Sequence, residues 1–559
     1  MADCRHSVVY QIWPRSFQDS NGDGIGDING IRSRLPYLKS LGIDLLWISP
    51  LYQSPNDDYG YDISDYYSIN PEFGTIDDLK ELIREAKLLG IGILMDLVAN
   101  HTSTRHAWFR QALADPSSPC RGFYFFRHGS AGGPPNNWLS FFGESAWQKA
   151  EGDMYYLTTF AATQADLNWA NPAVRKEIYK IMTYYMDLGI AGFRMDVINT
   201  IDKISGLPSK DPDKEGLQFP GDYIIDRPNV ETYLKEMNQE VLTPRHAVSV
   251  GEGVLVTPES VRAYTRTDSR ELDMMFQFEL MTLGYGVLGR YDCRKLYHFT
   301  DRDFKAAVRK WQTAMQRDGS YLGNCLSNHD NIRQLDHFGS TKRWRAKSAK
   351  ALALFNFCLY GTPFIYQGEE IAMVDPHLTR KDWKDYECFH SSEAMTTILH
   401  IPPWIAEPVS SRMTRDNART PVQWDGSANA GFTKAENPWM IVNPDYPEWN
   451  AARQEEDPGS VLNFYRACIR LRRTQEALCT GSWTEVLPEH PHVLAFLRRN
   501  EKETLLCMIN LSAHRVSVKL PDCFAAEDLL SNDAPRDLKP RMVFSAWEAH
   551  LFRKIPSAL

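Results

Sequence analysis

The chain has 559 residues, more than one ordinary core accommodates, so it reads as a large domain with appendages. Hydrophobic residues make up 43% and charged residues 24%, with 15 Trp, 25 Tyr and 26 Phe, a globular balance rich in aromatics that excludes a disordered chain. The formal net charge of -9 argues against a nucleic-acid or anionic-membrane surface and suits a neutral ligand.

The first residues, Met1 to His6, carry no basic-plus-apolar leader and pass directly into a strand-like segment. No run approaches the roughly 20 apolar residues that a membrane helix needs. The ten cysteines, Cys293 among them, show neither a CxxC pair nor a secreted-scaffold spacing, which predicts reduced thiols. These features predict a soluble, cytoplasmic protein.

Short apolar segments alternate with longer stretches of helical period along most of the chain. Strands are predicted at Val8 to Ile12, Leu45 to Ser49, Gly92 to Val98, Ala191 to Met195, Ala247 to Gly251, Asp273 to Phe276, Tyr321 to Leu326 and Pro363 to Tyr366. Helices are predicted at Ile28 to Leu41, Ile76 to Leu89, Ala173 to Leu188, Val230 to Val241, Asp303 to Arg317, Lys342 to Cys358 and Ser460 to Arg473. Eight strands alternating with helices predict an α/β fold, a (β/α)8 TIM barrel with active-site residues on the loops after the strands. An open doubly wound sheet is the competing arrangement.

Two stretches break the alternation. Residues 102–169 are rich in Gly, Pro, Asn, Ser and aromatics and read as a small domain inserted after strand 3. Residues 373–456 follow the eighth strand as an irregular subdomain, long enough to help line a pocket. Beyond Cys479 the pattern turns to period two, at Val493 to Leu497, Thr504 to Asn510 and Val516 to Leu520. This predicts a C-terminal antiparallel β-sandwich over 479–559 and leaves 1–101 and 170–478 for the barrel.

Arg194 and Asp196 stand two residues apart at the end of the fourth predicted strand, and so share one face of the sheet. A guanidinium beside a carboxylate favours its ionised form, as a carboxylate nucleophile requires. The plain alternative is a structural ion pair. The third strand runs on to His101, the fifth ends at Glu252 and the seventh leads to Asn328-His329-Asp330. Three acids and two histidines thus converge on one rim.

Carboxylates without a Cys/His metal constellation suit glycosidic bond cleavage, which needs one ionised and one protonated acid. In that reading Asp196 attacks the anomeric carbon. Glu252, in the apolar setting of Val248 to Gly251, is held protonated by desolvation and donates to the leaving oxygen. Asp330 stabilises the oxocarbenium-like transition state. A metal-centred reading of His101 and His329 lacks any ligand spacing such as HExxH.

The segments Asp96 to His101, Gly192 to Asp196, Glu252 and Asn328 to Asp330, in that order, resemble the four signature regions of the α-amylase family of glycoside hydrolases, and Gln164 to Trp169 is similar to that family's additional region. The resemblance covers nearly the whole chain. It implies a retaining mechanism with Asp196 as nucleophile, Glu252 as acid/base and Asp330 as the third acid. It further implies that His101 and His329 bind sugar hydroxyls and that Arg194 orients Asp196.

Within the family, Val9 to Phe17 and Asp416 to Trp424 resemble the oligo-1,6-glucosidase and dextran glucosidase branch. That likeness implies that Asp58 and Arg419 pair to grip the nonreducing-end hydroxyls of a terminal glucose, with Tyr61 stacked on the ring and Phe142 closing the aglycone side. Such a pair would make the enzyme act from chain ends. Val197, directly after Asp196, resembles the members that prefer α-1,6 links. A β-branched apolar residue there offers the next sugar no hydrogen bond and narrows the space beside the scissile bond.

The expected activity is therefore that of a retaining, exo-acting α-1,6-glucosidase on isomaltose, isomalto-oligosaccharides and panose. A trehalose-6-phosphate hydrolase, a sucrose-active isomerase and a noncatalytic transporter heavy-chain-like subunit are the alternatives. Gly253 to Val256 lacks the methionine and proline common in the branch, and Ile332 stands where proline is common, both on the aglycone side.

The run Asp19 to Asp27 alternates oxygen side chains with glycines like the start of an EF-hand loop, but Gly30 stands where a bidentate Glu is needed. Resemblance to the branch implies that Asp19, Asn21, Asp23, the Ile25 carbonyl and Asp27 hold a structural Ca2+, or Mg2+. No cofactor is expected for catalysis. The expected partner is a neutral oligosaccharide, without nucleic acid or membrane, and the chain is expected to be a monomer.

Overall fold

The computed structural model describes residues 4–130, 132–268, 271–286, 289–292 and 298–556, and Cys293 lies outside them. Eight parallel strands, β1 (Val9–Ile12), β2 (Leu45–Ile48), β3 (Gly92–Val98), β4 (Gly192–Asp196), β5 (Val248–Glu252), β6 (Met274–Phe276), β7 (Leu322–Asn324) and β8 (Thr362–Tyr366), close into a barrel. Each strand pairs with its neighbours in sequence and β8 returns to β1, so the sheet is closed rather than open. Every residue of β1, β2, β4, β5 and β8 is buried, because barrel side chains fill one face and helices cover the other. Continuous apolar strands are the sequence signature of that double burial.

Some helices follow their predicted periods, whereas Arg345–Cys358 is buried on nearly every side and the helix expected to Val241 gives way to a π turn after Met237. The helix Ile76–Leu88 opens on a Thr75–Asp78 capping box and buries Leu79, Leu82, Ile83 and Ala86 against the barrel, the i, i+3, i+4, i+7 stripe of one face. The stretch expected as one helix from Ile28 to Leu41 is two, Ile28–Ser33 and Leu35–Leu41, with Pro36 at the start of the second. Proline lacks the amide an uninterrupted helix would need there.

Between β3 and β4 the chain makes an antiparallel pair, His101–Ser103 with Gln164–Asp166, and a three-stranded sheet of Phe126–His128, Met154–Leu157 and Trp147–Lys149. This excursion has its own apolar cluster around Trp138, Trp147 and Leu157, to which Leu207 and Ile224 from beyond β4 are added. The stretch after β8, read from sequence as irregular, contains the helices Tyr386–Thr397 and Pro403–Met413 around Trp383, Cys388 and Met395. Both segments stand on the side of the barrel where the strands end.

The C-terminal part is antiparallel. Five strands, in the order Ser482–Glu485, Val493–Arg499, Thr504–Asn510, Ala549–Lys554 and Ala526–Ser531, pack against the pair Val516–Lys519 and Arg541–Phe544. Val493, Leu506, Met508, Val518 and Phe544 fill the space between. Lys305 of the helix Asp301–Met315 is buried at the junction with the barrel, and its ammonium donates to the carbonyls of Leu487, His490 and Val493 at 2.7, 2.6 and 2.9 Å. No helix among the described residues is long and apolar enough to cross a membrane.

Candidate active site

At the C-terminal ends of the strands lies a cavity of about 490 Å³, lined by Asp58, Tyr61, His101, Phe142, Asp196, Val197, Glu252 and Asp330 among others. Eight of the residues predicted from sequence therefore meet in one pocket. Arg194, His329 and Arg419 do not line it; they are buried directly behind its wall.

The geometry follows from the barrel's register. Arg194 of β4 pairs with Asp96 of β3, so the two side chains lie abreast on the inner face. The Arg194 guanidinium then fans out: Nη1 donates to Oδ1 of Asp96 and to Oδ1 of Asp196, the latter at 2.8 Å, while Nη2 meets Oε2 of Glu252. One cation thus holds three carboxylates. Gly192, which opens β4, lets β5 come close enough that an added Cβ would sit 1.9 Å from the Val248 carbonyl oxygen. Glu252 was expected in apolar surroundings because its sequence neighbours are apolar; across the strand it faces a guanidinium instead.

Burial pushes the Asp196 carboxyl up to about 7, against the pull of Arg194 and with the help of negative charge on Asp96 and Asp330. Asp330 goes the other way. Burial opposes its ionisation, but His329, Arg415 and Arg419 overcome that and hold it well below the usual carboxylate range. Burial keeps His329 itself low and so neutral, which leaves the two guanidiniums as the cations that stabilise Asp330. The Gln11 amide donates to Nδ1 of His329 at 2.7 Å, so Nε2 carries the proton and faces Oδ2 of Asp330 at 3.1 Å and the Tyr61 hydroxyl at 2.7 Å. The Tyr61 hydroxyl donates onward to Asp96 at 3.1 Å.

Tyr61 and Trp13 sandwich the His329 ring at 5.3 and 5.2 Å. His101, lowered to about 4 by burial, turns Nε2 to the Tyr61 carbonyl at 3.2 Å. Behind it Lys203 donates to Asp166 and Asn100 at 2.7 Å and to the Thr200 carbonyl at 2.8 Å, tying β3, the inserted segment and the turn after β4 together. Val197, in that turn, has φ 37° and ψ 41°, the left-handed region that β-branched residues avoid.

The pair expected between Asp58 and Arg419 is not formed. Arg419 donates to Asp330 at 2.8 Å and to the His329 carbonyl at 2.9 Å, and the partner of Asp58 is Arg415, at 3.3 Å. Arg415 lies in the 3-10 turn Arg415–Asn417, four residues before Arg419, and its guanidinium reaches Asp385 at 2.6 Å, Asp330 at 3.4 Å and Glu387 at 3.6 Å as well. Gln164 donates to the other oxygen of Asp58 at 3.1 Å. Sequence reasoning missed Arg415, Asp385, Glu387 and Arg290. The signal was the single unused arginine directly before the Asp416 run.

The candidate cation loop is tightly turned. The Asp19 carboxylate accepts from the amides of Gly22 and Gly24 at 2.7 and 2.9 Å, Asn21 and Asp23 cap the amides two residues on, and Asp27 accepts from Ser20 and Gly30. Its donor set is all oxygen, the chemistry of a hard cation. Among the described residues no three His, Cys, Asp or Glu side chains cluster at metal-binding distance.

Residues 11–481 match the description "Alpha amylase, catalytic domain" and residues 484–545 match "Maltogenic Amylase, C-terminal domain". The oligo-1,6-glucosidase of Parageobacillus thermoglucosidasius is 42% identical over 560 residues, covering 98% of each chain, and the trehalose-6-phosphate hydrolase of Bacillus subtilis is 39% identical over 562 residues, also covering 98% of each. Among solved structures, the isomaltulose synthase of Klebsiella sp. superposes with a TM-score of 0.94 at 36% identity and the trehalose-6-phosphate hydrolase of Bacillus licheniformis with 0.92 at 38%, each covering 99% of both chains. With its closed eight-stranded barrel, its carboxylates gathered at the strand ends and an antiparallel C-terminal domain, the chain belongs to the alpha-amylase family of glycoside hydrolases and is a glycosidase of its α-glucosidase type.

Proposed function

We propose that the protein is a retaining, exo-acting α-glucosidase that removes terminal α-1,6-linked glucose from isomaltose, isomalto-oligosaccharides and panose. The observation that supports this reading is the cavity at the strand ends onto which Asp196, Glu252 and Asp330 all open, with Asp58 and Arg415 paired in its wall. A retaining pair stands about 5–5.5 Å apart and an inverting pair about 6.5–9.5 Å, so the stereochemistry of the released glucose tests this part of the reading directly.

In this mechanism an Asp196 oxygen attacks the anomeric carbon as the bond to the leaving oxygen breaks, and Glu252 passes its proton to that oxygen. Water then attacks the glucosyl ester, giving its proton to Glu252 and releasing glucose and free Asp196. Asp330, ionised throughout, stabilises positive charge developing on the sugar ring.

The wall carries six carboxylates (Asp58, Asp196, Glu252, Glu279, Asp330, Glu387) and two guanidiniums (Arg290, Arg415), and both guanidiniums face carboxylates, Arg290 with Glu387 at 3.8 Å. Among the described residues this supports a neutral saccharide over a phosphorylated one. Val197 beside Asp196 supports the α-1,6 link. The test is kcat/KM for isomaltose, maltose, panose, sucrose, trehalose and trehalose 6-phosphate, with mass spectrometry of the enzyme trapped by a fluorinated glucoside. A trapped glucosyl on Asp196 and a preference for isomaltose are expected; a preference for trehalose 6-phosphate overturns the substrate, and an unlabelled Asp196 overturns the mechanism.

We also propose that Asp19, Asn21, Asp23, the Ile25 carbonyl and Asp27 hold Ca2+ as a structural ion. Its role is to fix the loop after β1. Chelator should lower the thermal midpoint and Ca2+ restore it, while an unchanged midpoint excludes the ion.

A further inference from the structure

We infer that Glu144 is a positioning residue, which sets the width of the cavity mouth and so selects among saccharides by the size of the aglycone. The inference rests on the α-glucosidase reading and goes beyond it. Glu144 belongs to the inserted segment, two residues after Phe142. Its Oε1 accepts from the Tyr386 hydroxyl at 3.0 Å and faces Nε2 of His390 at 3.4 Å, across 242 residues of sequence. Tyr386 and His390 lie one turn apart on the helix Tyr386–Thr397, and their rings stack at 5.8 Å with planes 11° apart. Two partners from one helix therefore converge on one carboxylate from another part of the chain.

The contact stands where it controls the pocket. Phe142 on one side of it and Glu387 on the other both line the cavity. Between them the Arg415 guanidinium lies 5.8 Å from the Phe142 ring centre and 3.6 Å from Glu387. The loop carrying Glu144 is itself braced, with the Gly143 amide on the Ser140 carbonyl at 3.1 Å and the Ser140 amide on the Glu144 carbonyl at 2.8 Å, so a pull on Glu144 moves Phe142 with it. The bridge does not touch the sugar that would lie over Asp196. It acts through the wall against which the aglycone rests.

The test compares Glu144→Ala, Glu144→Gln, Tyr386→Phe and the pair Glu144→Ala with Tyr386→Phe on p-nitrophenyl α-glucoside, isomaltose and isomaltotriose. Loss of one hydrogen bond of this kind is expected to change the isomaltotriose-to-isomaltose ratio of kcat/KM about fivefold, through KM with kcat unchanged. Glu144→Gln keeps an acceptor for Tyr386 and is expected to restore most of the ratio, and the double variant to match Glu144→Ala alone. A ratio that stays constant in Glu144→Ala, or effects of the two single changes that add, overturns the inference. Tyr386→Phe removes one partly exposed oxygen and leaves the fold intact, so its ratio decides even if Glu144→Ala is poorly expressed. Failure of the unaltered enzyme to cleave any α-1,6 glucoside overturns the functional reading instead.

Discussion

Arg415 reaches Asp58 at 3.3 Å on one side of the cavity, while Arg419 turns away from Asp58 to Asp330 at 2.8 Å. Both arginines face Asp330, Arg415 at 3.4 Å, but Arg415 alone of the two also reaches Asp58 and Asp385. Asp58 is buried, and burial raises its carboxyl against the opposing pull of Arg415 and Arg419. Arg415→Ala leaves Asp58 and Asp385 without their nearest cation, and breaking a buried pair from one side costs about 3–5 kcal/mol. We expect kcat/KM for isomaltose to fall at least about 100-fold, chiefly through KM. Arg419→Ala should fall mainly in kcat, because its partner is Asp330. Steady-state kinetics at a temperature below the thermal midpoints of both variants separates the two.

Asp196 must be ionised to attack, and burial holds it up to about 7. Activity should therefore fall as pH drops through that value, on an acid limb that belongs to the coupled carboxylates together. Negative charge on Asp96 contributes to the rise, so Asp96→Asn should move the limb to lower pH. The profile of kcat/KM against pH reads the shift; a limb that stays in place or moves up contradicts the assignment.

Val197 is strained. Left-handed backbone costs a side-chain-bearing residue about 1–2 kcal/mol, which glycine avoids, and the loss of valine packing offsets that gain. Val197→Gly should consequently leave the thermal midpoint nearly unchanged while opening space beside Asp196. The ratio of maltose to isomaltose turnover should rise about tenfold. A large fall in the midpoint, or an unaltered ratio, would count against both halves of the argument.

His550 in the C-terminal sheet sits between Asp528 at 2.7 Å and Glu548 at 2.8 Å. Burial opposes its charge, and the two carboxylates overcome burial to raise its pKa. A raised folded value stabilises the protein fully below the unfolded value of about 6.5 and loses that contribution as pH climbs through the folded value. His550→Gln should accordingly cost most at pH 5.5 and least at pH 8.5. Thermal melts of both proteins across that range test it; a gap that widens with pH is the contrary result.

Much of the barrel was legible because its strands are buried on both faces and so read as unbroken apolar runs. The pairing of Arg194 with Asp196 was legible too, since it needs only the two-residue repeat of a strand. The bond from Arg194 to Asp96 was not, because it depends on the register of β4 against β3, which no local pattern encodes. For the same reason Glu252, apolar by its neighbours in sequence, meets a guanidinium in space. The direct contact of Asp58 with Arg415 was not legible, because Arg415 and Arg419 stand one 3-10 turn apart and spacing alone does not say which of them reaches across to Asp58. The helices Tyr386–Thr397 and Pro403–Met413 were missed because their apolar residues face a small cluster of their own and Pro408 lies inside the second.

The ammonium of Lys305 is sunk among carbonyls of the loop Leu487 to His490 and of Val493, and so ties the barrel to the C-terminal domain. Detaching that segment would break these bonds and open the apolar core that Leu494, Phe496, Cys507 and Leu551 share with the barrel, so loss of structure in one part is expected to carry the other with it. Heating should then melt the two together, in one cooperative step, and shortening the chain before Leu487 should destabilise a barrel whose active-site residues are all still present.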